Sequence, residues 1–268
     1  MNDKEIIVPS PSGAVFTVLA SSETGHGHPL VILCHGLMMN SSQNPVLGVS
    51  EGFNAAGYDT LRLDFRGSGR SSGKITEMTP VTETADLLAV VKYVTEHPDR
   101  FGRHSRIVLC GHSLGGLAVL LAASAISGGT VPGLDYDGSI SSICIAGLVL
   151  FAPAVNIEAD SKAGRVATVT FDPVNIPEYV EVWGSCLSRK YFIEARALDT
   201  FRTISAYHGA ACVLLGERDR IVELDLADKI KAALPQAELH IIPHGDHLFS
   251  RGVRLKAVDI ALEFMSRL

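Results

Sequence analysis

The stretch Ile107-Val108-Leu109-Cys110-Gly111-His112-Ser113-Leu114-Gly115-Gly116 decides how this chain is read. Its first four residues form a short, continuous apolar run, the pattern of a strand buried on both faces. A Leu/Ala-rich run follows over 114–127 and stops at Gly128-Gly129, which marks a helix with a clear end. A Gly-x-Ser-x-Gly turn between strand and helix is sharp. Gly111 and Gly115 leave room for a close crossing, so Ser113 is expected to sit strained and exposed at the helix start. The unpaired N–H groups and positive potential of a helix N-terminus favour an incoming oxyanion. Ser113 is therefore the candidate nucleophile. The plainer alternative is a glycine-rich turn whose serine merely caps the helix. His112 is adjacent, but its side chain should diverge from Ser113 and pack or line a pocket. The base must come from another loop.

Outward from this turn, short apolar runs recur at 29–34, 59–63, 106–110, 143–151, 210–215 and 238–242, and helical spacing recurs at 45–56, 82–97, 114–127, 223–234 and 254–265. Residues 15–21 suit an antiparallel hairpin strand at the sheet edge. Alternating strands and helices predict an α/β fold with a mostly parallel central sheet and helices on both faces. The stretch 153–207 lies between two core strands and is too long for an ordinary connection. It predicts a small inserted cap, leaving 1–152 and 208–268 as the core; an irregular packed excursion is the alternative. Trp183, Tyr179, Tyr191 and Phe192 lie in it and are candidate substrate-binding residues, against ordinary packing within the cap.

Two loops after late strands supply the remaining chemistry. Gly216-Glu217-Arg218-Asp219 follows one strand, and Gly245-Asp246-His247-Leu248-Phe249 follows the last. His247 is the candidate base and Asp219 the acid that orients it, in the order Ser113, Asp219, His247. The competing residues are His244 as a surface or pocket-wall histidine, Asp246 pointing away, and Glu217 pairing with Arg218 or Arg220. Gly245 is expected to give the base loop conformational freedom. After the early strand comes Cys34-His35-Gly36-Leu37-Met38. The backbone N–H groups of Leu37 and Leu114 are the expected oxyanion hole, with His35 packing or bonding the loop. Gly67 and Gly69, in Asp64-Phe65-Arg66-Gly67-Ser68-Gly69-Arg70-Ser71, lack the third glycine and the helix of a dinucleotide fingerprint. That loop is expected to buttress the oxyanion side, with Asp64 and Arg66 in structural pairs.

Composition bounds the remaining choices. The chain has 268 residues, 47% hydrophobic and 19% charged, with formal net charge −6 and a pI near 5.9. No basic face for nucleic acid is expected. The apolar stretches are interrupted or too short for a bilayer span, and the N-terminal residues lack a signal-peptide core. A cytoplasmic protein without stable membrane insertion is expected. Five cysteines without a Cys-x-x-Cys pair suggest core thiols and no zinc site. No metal and no cofactor is expected. An exposed edge strand or a cap face offers a surface for a homodimer.

These blocks together resemble the α/β-hydrolase superfamily over nearly the whole chain. Within it, the chain is most similar to small bacterial carboxylesterases of the cinnamoyl or feruloyl esterase type. The resemblance implies a small cap before the acid, matching 153–207, and an oxyanion N–H after the nucleophile, matching Leu114. Many feruloyl-type members carry Phe after the His-Gly and Gln after the nucleophile, where this chain has Leu37 and Leu114. The expected activity is hydrolysis of small to medium apolar or aryl carboxylic esters through an acyl-enzyme. Feruloyl or cinnamoyl ester cleavage, monoacylglycerol lipase-like or peptidase-like cleavage, and a non-catalytic binding protein are the alternatives.

Overall fold

The computed structural model describes residues 3–11, 13–22, 27–102, 104, 106–141, 144–250 and 252–268. The sheet strands are β1 (Asp3–Ser10), β2 (Gly13–Ala20), β3 (Leu30–Cys34), β4 (Thr60–Leu63), β5 (Ile107–His112), β6 (Ile145–Phe151), β11 (Ala211–Gly216) and β12 (Glu238–Ile242). They lie in the order β1-β2-β4-β3-β5-β6-β11-β12. β1 and β2 pair antiparallel with each other, and β2 pairs antiparallel with β4. From β4 across to β12 every pairing is parallel. Every residue of β3, β5 and β11 is buried, as a central strand covered on both faces requires.

The helices are α1 (Val46–Ala55), α2 (Pro80–Glu96), α3 (Pro98–Phe101), α4 (Leu114–Ile126), α5 (Ile157–Lys162), α6 (Arg189–Ala197), α7 (Thr200–Ile204), α8 (Ala227–Ala233) and α9 (Val253–Met265). α1 packs with α9, and α2 packs with α4. α4 is buried along its whole length, which explains its all-round apolar sequence. The stretch between β6 and β11 holds α5, two hairpins, α6 and α7. The hairpins are β7 (Arg165–Val166) with β8 (Val169–Thr170) and β9 (Tyr179–Val182) with β10 (Ser185–Ser188).

The expected strands match within one to two residues, although residue 143 lies outside the described residues. Three differences have local causes. β1 was not expected, because a charged Lys4 on the face of buried Ile6 and Val8, and an apolar Ile7 on the exposed face, break any clean alternation. α2 begins at Pro80, two residues before the expected start, where the Thr79 hydroxyl accepts the Thr82 N–H at 3.1 Å and Pro80 opens the first turn. The helix expected over 223–234 is divided into a 3-10 turn, Leu224–Leu226, and α8.

Candidate active site

Ser113 stands between β5 and α4 with φ 54° and ψ −120°, a backbone region that L-residues rarely occupy. The surrounding glycines explain how it is held there. A Cβ on Gly111 would lie 2.4 Å from the Gly115 oxygen, and one on Gly115 would lie 2.3 Å from the His35 oxygen. The Ser113 N–H donates to the Phe151 oxygen at 2.9 Å, and the Ser113 carbonyl accepts from Ala154 at 2.9 Å. Both bonds run to the end of β6 and the residues beyond it, so the turn is anchored to the neighbouring strand.

Three side chains converge from three strand ends. Ser113 Oγ is 2.9 Å from His247 Nε2. His247 Nδ1 is 2.8 Å from Asp219 Oδ2. A carboxylate only accepts, so Nδ1 carries the proton and Nε2 offers its lone pair to the serine hydroxyl. Asp219 Oδ1 accepts from Ile221 N–H at 2.8 Å and Val222 N–H at 3.0 Å. The acid is buried and spends one oxygen on its own turn and the other on the imidazole. Its loop and the base loop touch through glycine. A Cβ on Gly216 would lie 2.6 Å from the Gly245 oxygen, and the Arg218 N–H donates to that oxygen at 2.7 Å. Gly245 thus provides close approach rather than conformational freedom: the positive φ values here belong to His244, at 61°, and Phe249, at 50°.

The competing side chains are occupied elsewhere. His244 is largely exposed and lies 3.5 Å from Glu217, which also accepts the His244 N–H at 2.7 Å. Glu217 therefore pairs with His244, where Arg218 or Arg220 was expected. Asp246 accepts the Ser250 N–H at 2.8 Å. His112 is buried, and its Nε2 donates to the His247 carbonyl at 2.8 Å. Burial, and then the nearby His247, push its pKa down to about 3, so it is a neutral strut beneath the base loop.

The loop after β3 faces the same point. A Cβ on Gly36 would lie 3.1 Å from Ser113 Cβ and 3.0 Å from His112 Nδ1. Gly36 thus sits tight against the nucleophile turn. His35 is buried; its Nδ1 donates to the Gly36 carbonyl at 2.9 Å, and its Nε2 accepts the Phe65 N–H at 3.0 Å. Burial lowers its pKa. The 64–71 loop supports this arrangement: Asp64 accepts from Ser41 N–H at 2.6 Å and Arg70 N–H at 2.9 Å. Arg66 pairs with Asp86 at 2.7 Å. Leu114 is the first residue of α4, so its N–H has no intrahelical carbonyl to reach.

A cavity of about 480 Å³ opens over Ser113 and His247. Leu37, Met38, Ile157, Val166, Trp183 and Ile221 give it an apolar wall, and Asn156, Asp160 and Arg165 a polar one. Tyr191 lines it as well, whereas Tyr179 and Phe192, both expected to bind substrate, are not among its walls. Tyr179 lies on an outward position of β9 and is 51% exposed. Phe192 is fully buried against Phe171 and Tyr191. Trp183 is at the tip of the β9–β10 hairpin with φ 49°, its indole N–H 3.4 Å from the Thr168 hydroxyl. Sequence reasoning missed Asn156, Asp160 and Arg165, which carry no motif and meet only in the folded chain.

Among the described residues there is no group of three or more His, Cys, Asp or Glu placed to hold a metal ion. Among them, no helix is long and apolar enough to cross a membrane. Cys34, Cys110 and Cys212 are buried, with thiol pKa values pushed up by burial, to about 12 for Cys212.

Comparison with known proteins agrees with this architecture. Residues 31–254 match the model of the alpha/beta hydrolase family. An uncharacterised 31.7 kDa protein of the traX-finO intergenic region of Escherichia coli is 36% identical over 98 residues, covering 36% of this chain and 33% of the relative. The mitochondrial palmitoyl-protein thioesterase ABHD10 of Mus musculus is 31% identical over 97 residues, covering 36% of this chain and 30% of that protein. The matched stretches thus span about a third of these relatives' length. Among solved structures, Est1E from Butyrivibrio proteoclasticus with ferulic acid bound superposes with a TM-score of 0.83 at 24% identity, covering 97% of this chain and 99% of that one. With a family match over most of its length and the sheet order described above, the chain belongs to the alpha/beta hydrolase family.

Proposed function

We propose that this protein is a serine carboxylesterase, hydrolysing small to medium apolar or aryl esters through an acyl-enzyme on Ser113. The observation that carries this reading is the continuous line of hydrogen bonds from Asp219 through His247 to Ser113. Ser113 Oγ attacks the ester carbonyl while His247 Nε2 takes its proton. The carbonyl oxygen becomes an oxyanion, held by the N–H groups of Leu37 and Leu114. His247 returns the proton to the alkoxide leaving group as the C–O bond breaks. Water then enters and gives a proton to His247, and its oxygen attacks the acyl carbon. Collapse of that intermediate releases the carboxylic acid and restores the Ser113 hydroxyl.

Residues 153–207 act as a cap in this reading. Trp183 and Tyr191 hold the apolar part of the substrate, and the cavity volume suits a medium-sized molecule.

The test is a matched panel of p-nitrophenyl acetate, butyrate, octanoate and decanoate, methyl ferulate, a palmitoyl thioester and an aminoacyl p-nitroanilide. Each is run with wild type and Ser113→Ala. Ester turnover that disappears in the variant supports the reading. Preference for the anilide or the thioester moves the assignment to a peptidase or a thioesterase.

A further inference from the structure

We propose that Asn156 is a positioning residue for the acid, clamping the turn that carries Asp219; this rests on the esterase reading above. Asn156 lies five residues past the end of β6 and immediately before α5, where the chain leaves the sheet. It is buried. Its Nδ2 donates to two acceptors, the Ile221 carbonyl and Asp160 Oδ2, each at 2.8 Å. Both partners only accept, so the amide orientation is fixed by the network. That orientation leaves Oδ1 buried and unpaired, and the alternative would set the amide oxygen against a carbonyl and a carboxylate.

The geometry of one peptide group gives this contact its consequence. The Ile221 carbonyl and the Val222 N–H belong to the same planar trans unit and point in opposite directions. Asn156 holds its oxygen end at 2.8 Å. Asp219 Oδ1 accepts its N–H end at 3.0 Å. The peptide is therefore a rigid strut between Asn156 and the acid. With Oδ1 held by this strut and by Ile221 N–H, Oδ2 is left aimed at His247. Loss of the Asn156 donor leaves the Ile221 carbonyl without this partner and frees the peptide to tilt. Arg165 meanwhile pairs with the other oxygen of Asp160 at 2.6 Å, so the 156–160 contact has support of its own.

A merely structural role and a positioning role separate in a polarity swap. Asn156→Asp removes both donors. Asn156→Asp combined with Asp160→Asn restores a hydrogen bond between 156 and 160 with its direction reversed, but leaves nothing to donate to Ile221. On p-nitrophenyl butyrate, Asn156→Ala and Asn156→Asp should lower kcat about 10- to 100-fold, as small misplacements of catalytic groups do, with KM changed far less. Asn156→Ser, with one donor for two acceptors, should lose less and serves where the alanine variant fails to fold. The double variant should remain as slow as Asn156→Asp. The downfield proton resonance of the His247–Asp219 bridge should move in each variant. Wild-type kcat and an unmoved resonance in Asn156→Ala would overturn the proposal, as would full recovery in the double variant. Wild type and Ser113→Ala, assayed alongside, report separately on the esterase reading. If wild type itself turns over no ester, the resonance still decides the Asn156 question.

Discussion

His35 donates from Nδ1 to the carbonyl oxygen of Gly36, the residue that follows it, at 2.9 Å. The Phe65 N–H occupies its other nitrogen at 3.0 Å, so the neutral tautomer with Nδ1 protonated is enforced from both sides. Because the Gly36–Leu37 peptide is planar and trans, the Leu37 N–H points away from the imidazole. His35 therefore sets the direction of one proposed oxyanion donor without touching substrate.

Replacing His35 by Ala should consequently lower kcat with a smaller effect on KM. The loss should approach, without exceeding, the roughly 10²- to 10³-fold effect of removing an oxyanion donor outright. Steady-state kinetics on p-nitrophenyl butyrate test this. A rise in KM at constant kcat would place His35 in substrate binding.

Much of this site was legible before the chain was seen folded. Ser113, Asp219 and His247 each follow a strand and carry local turn chemistry, so motif and order singled them out as candidates, and the fold brings them within hydrogen-bond reach. Gly111 and Gly115 were legible as well, because close backbone approach leaves a glycine in the sequence. The stretch 153–207, proposed above as a cap, was less legible. Its strands are two to four residues long, too short for periodicity to register. Nothing in the sequence separates an outward aromatic such as Tyr179 from a cavity wall such as Trp183. Asn156 and Ile221 are 65 residues apart, and only tertiary structure joins them.

Trp183 should govern which acyl groups are accepted rather than how fast the bond breaks. It lines the cavity while remaining 54% exposed, at the tip of the β9–β10 hairpin. Trp183→Ala should change kcat/KM across the octanoate, decanoate and ferulate esters while leaving acetate turnover within a few-fold of wild type. An equal loss on every ester, acetate included, would contradict a specificity role.

Glu83 makes stability depend on pH. It is fully buried on α2, with both carboxyl oxygens unpartnered. Burial first, and then the neighbouring Asp86, raise its pKa well above the ordinary value, with Arg66 opposing. The folded state therefore keeps a proton that the unfolded chain releases near pH 4.5. As pH rises from there toward the folded pKa, the unfolded state binds fewer protons and stability falls by up to about 1.4 kcal/mol per pH unit. Glu83→Gln, which resembles the protonated acid, should remove this slope. Denaturant melts at pH 5 and pH 8 should show the variant gaining on wild type at the higher pH. A constant difference between the two would mean that Glu83 does not hold its proton.

The acyl-enzyme is the central claim, and intact-protein mass spectrometry tests it most directly. Wild type, mixed with p-nitrophenyl octanoate and quenched in acid within the first turnovers, should gain the mass of one octanoyl group. Peptide mapping should place that group on Ser113, and Ser113→Ala should gain no such mass and show no turnover above background. An adduct on another residue, or undiminished hydrolysis by Ser113→Ala, would contradict the account.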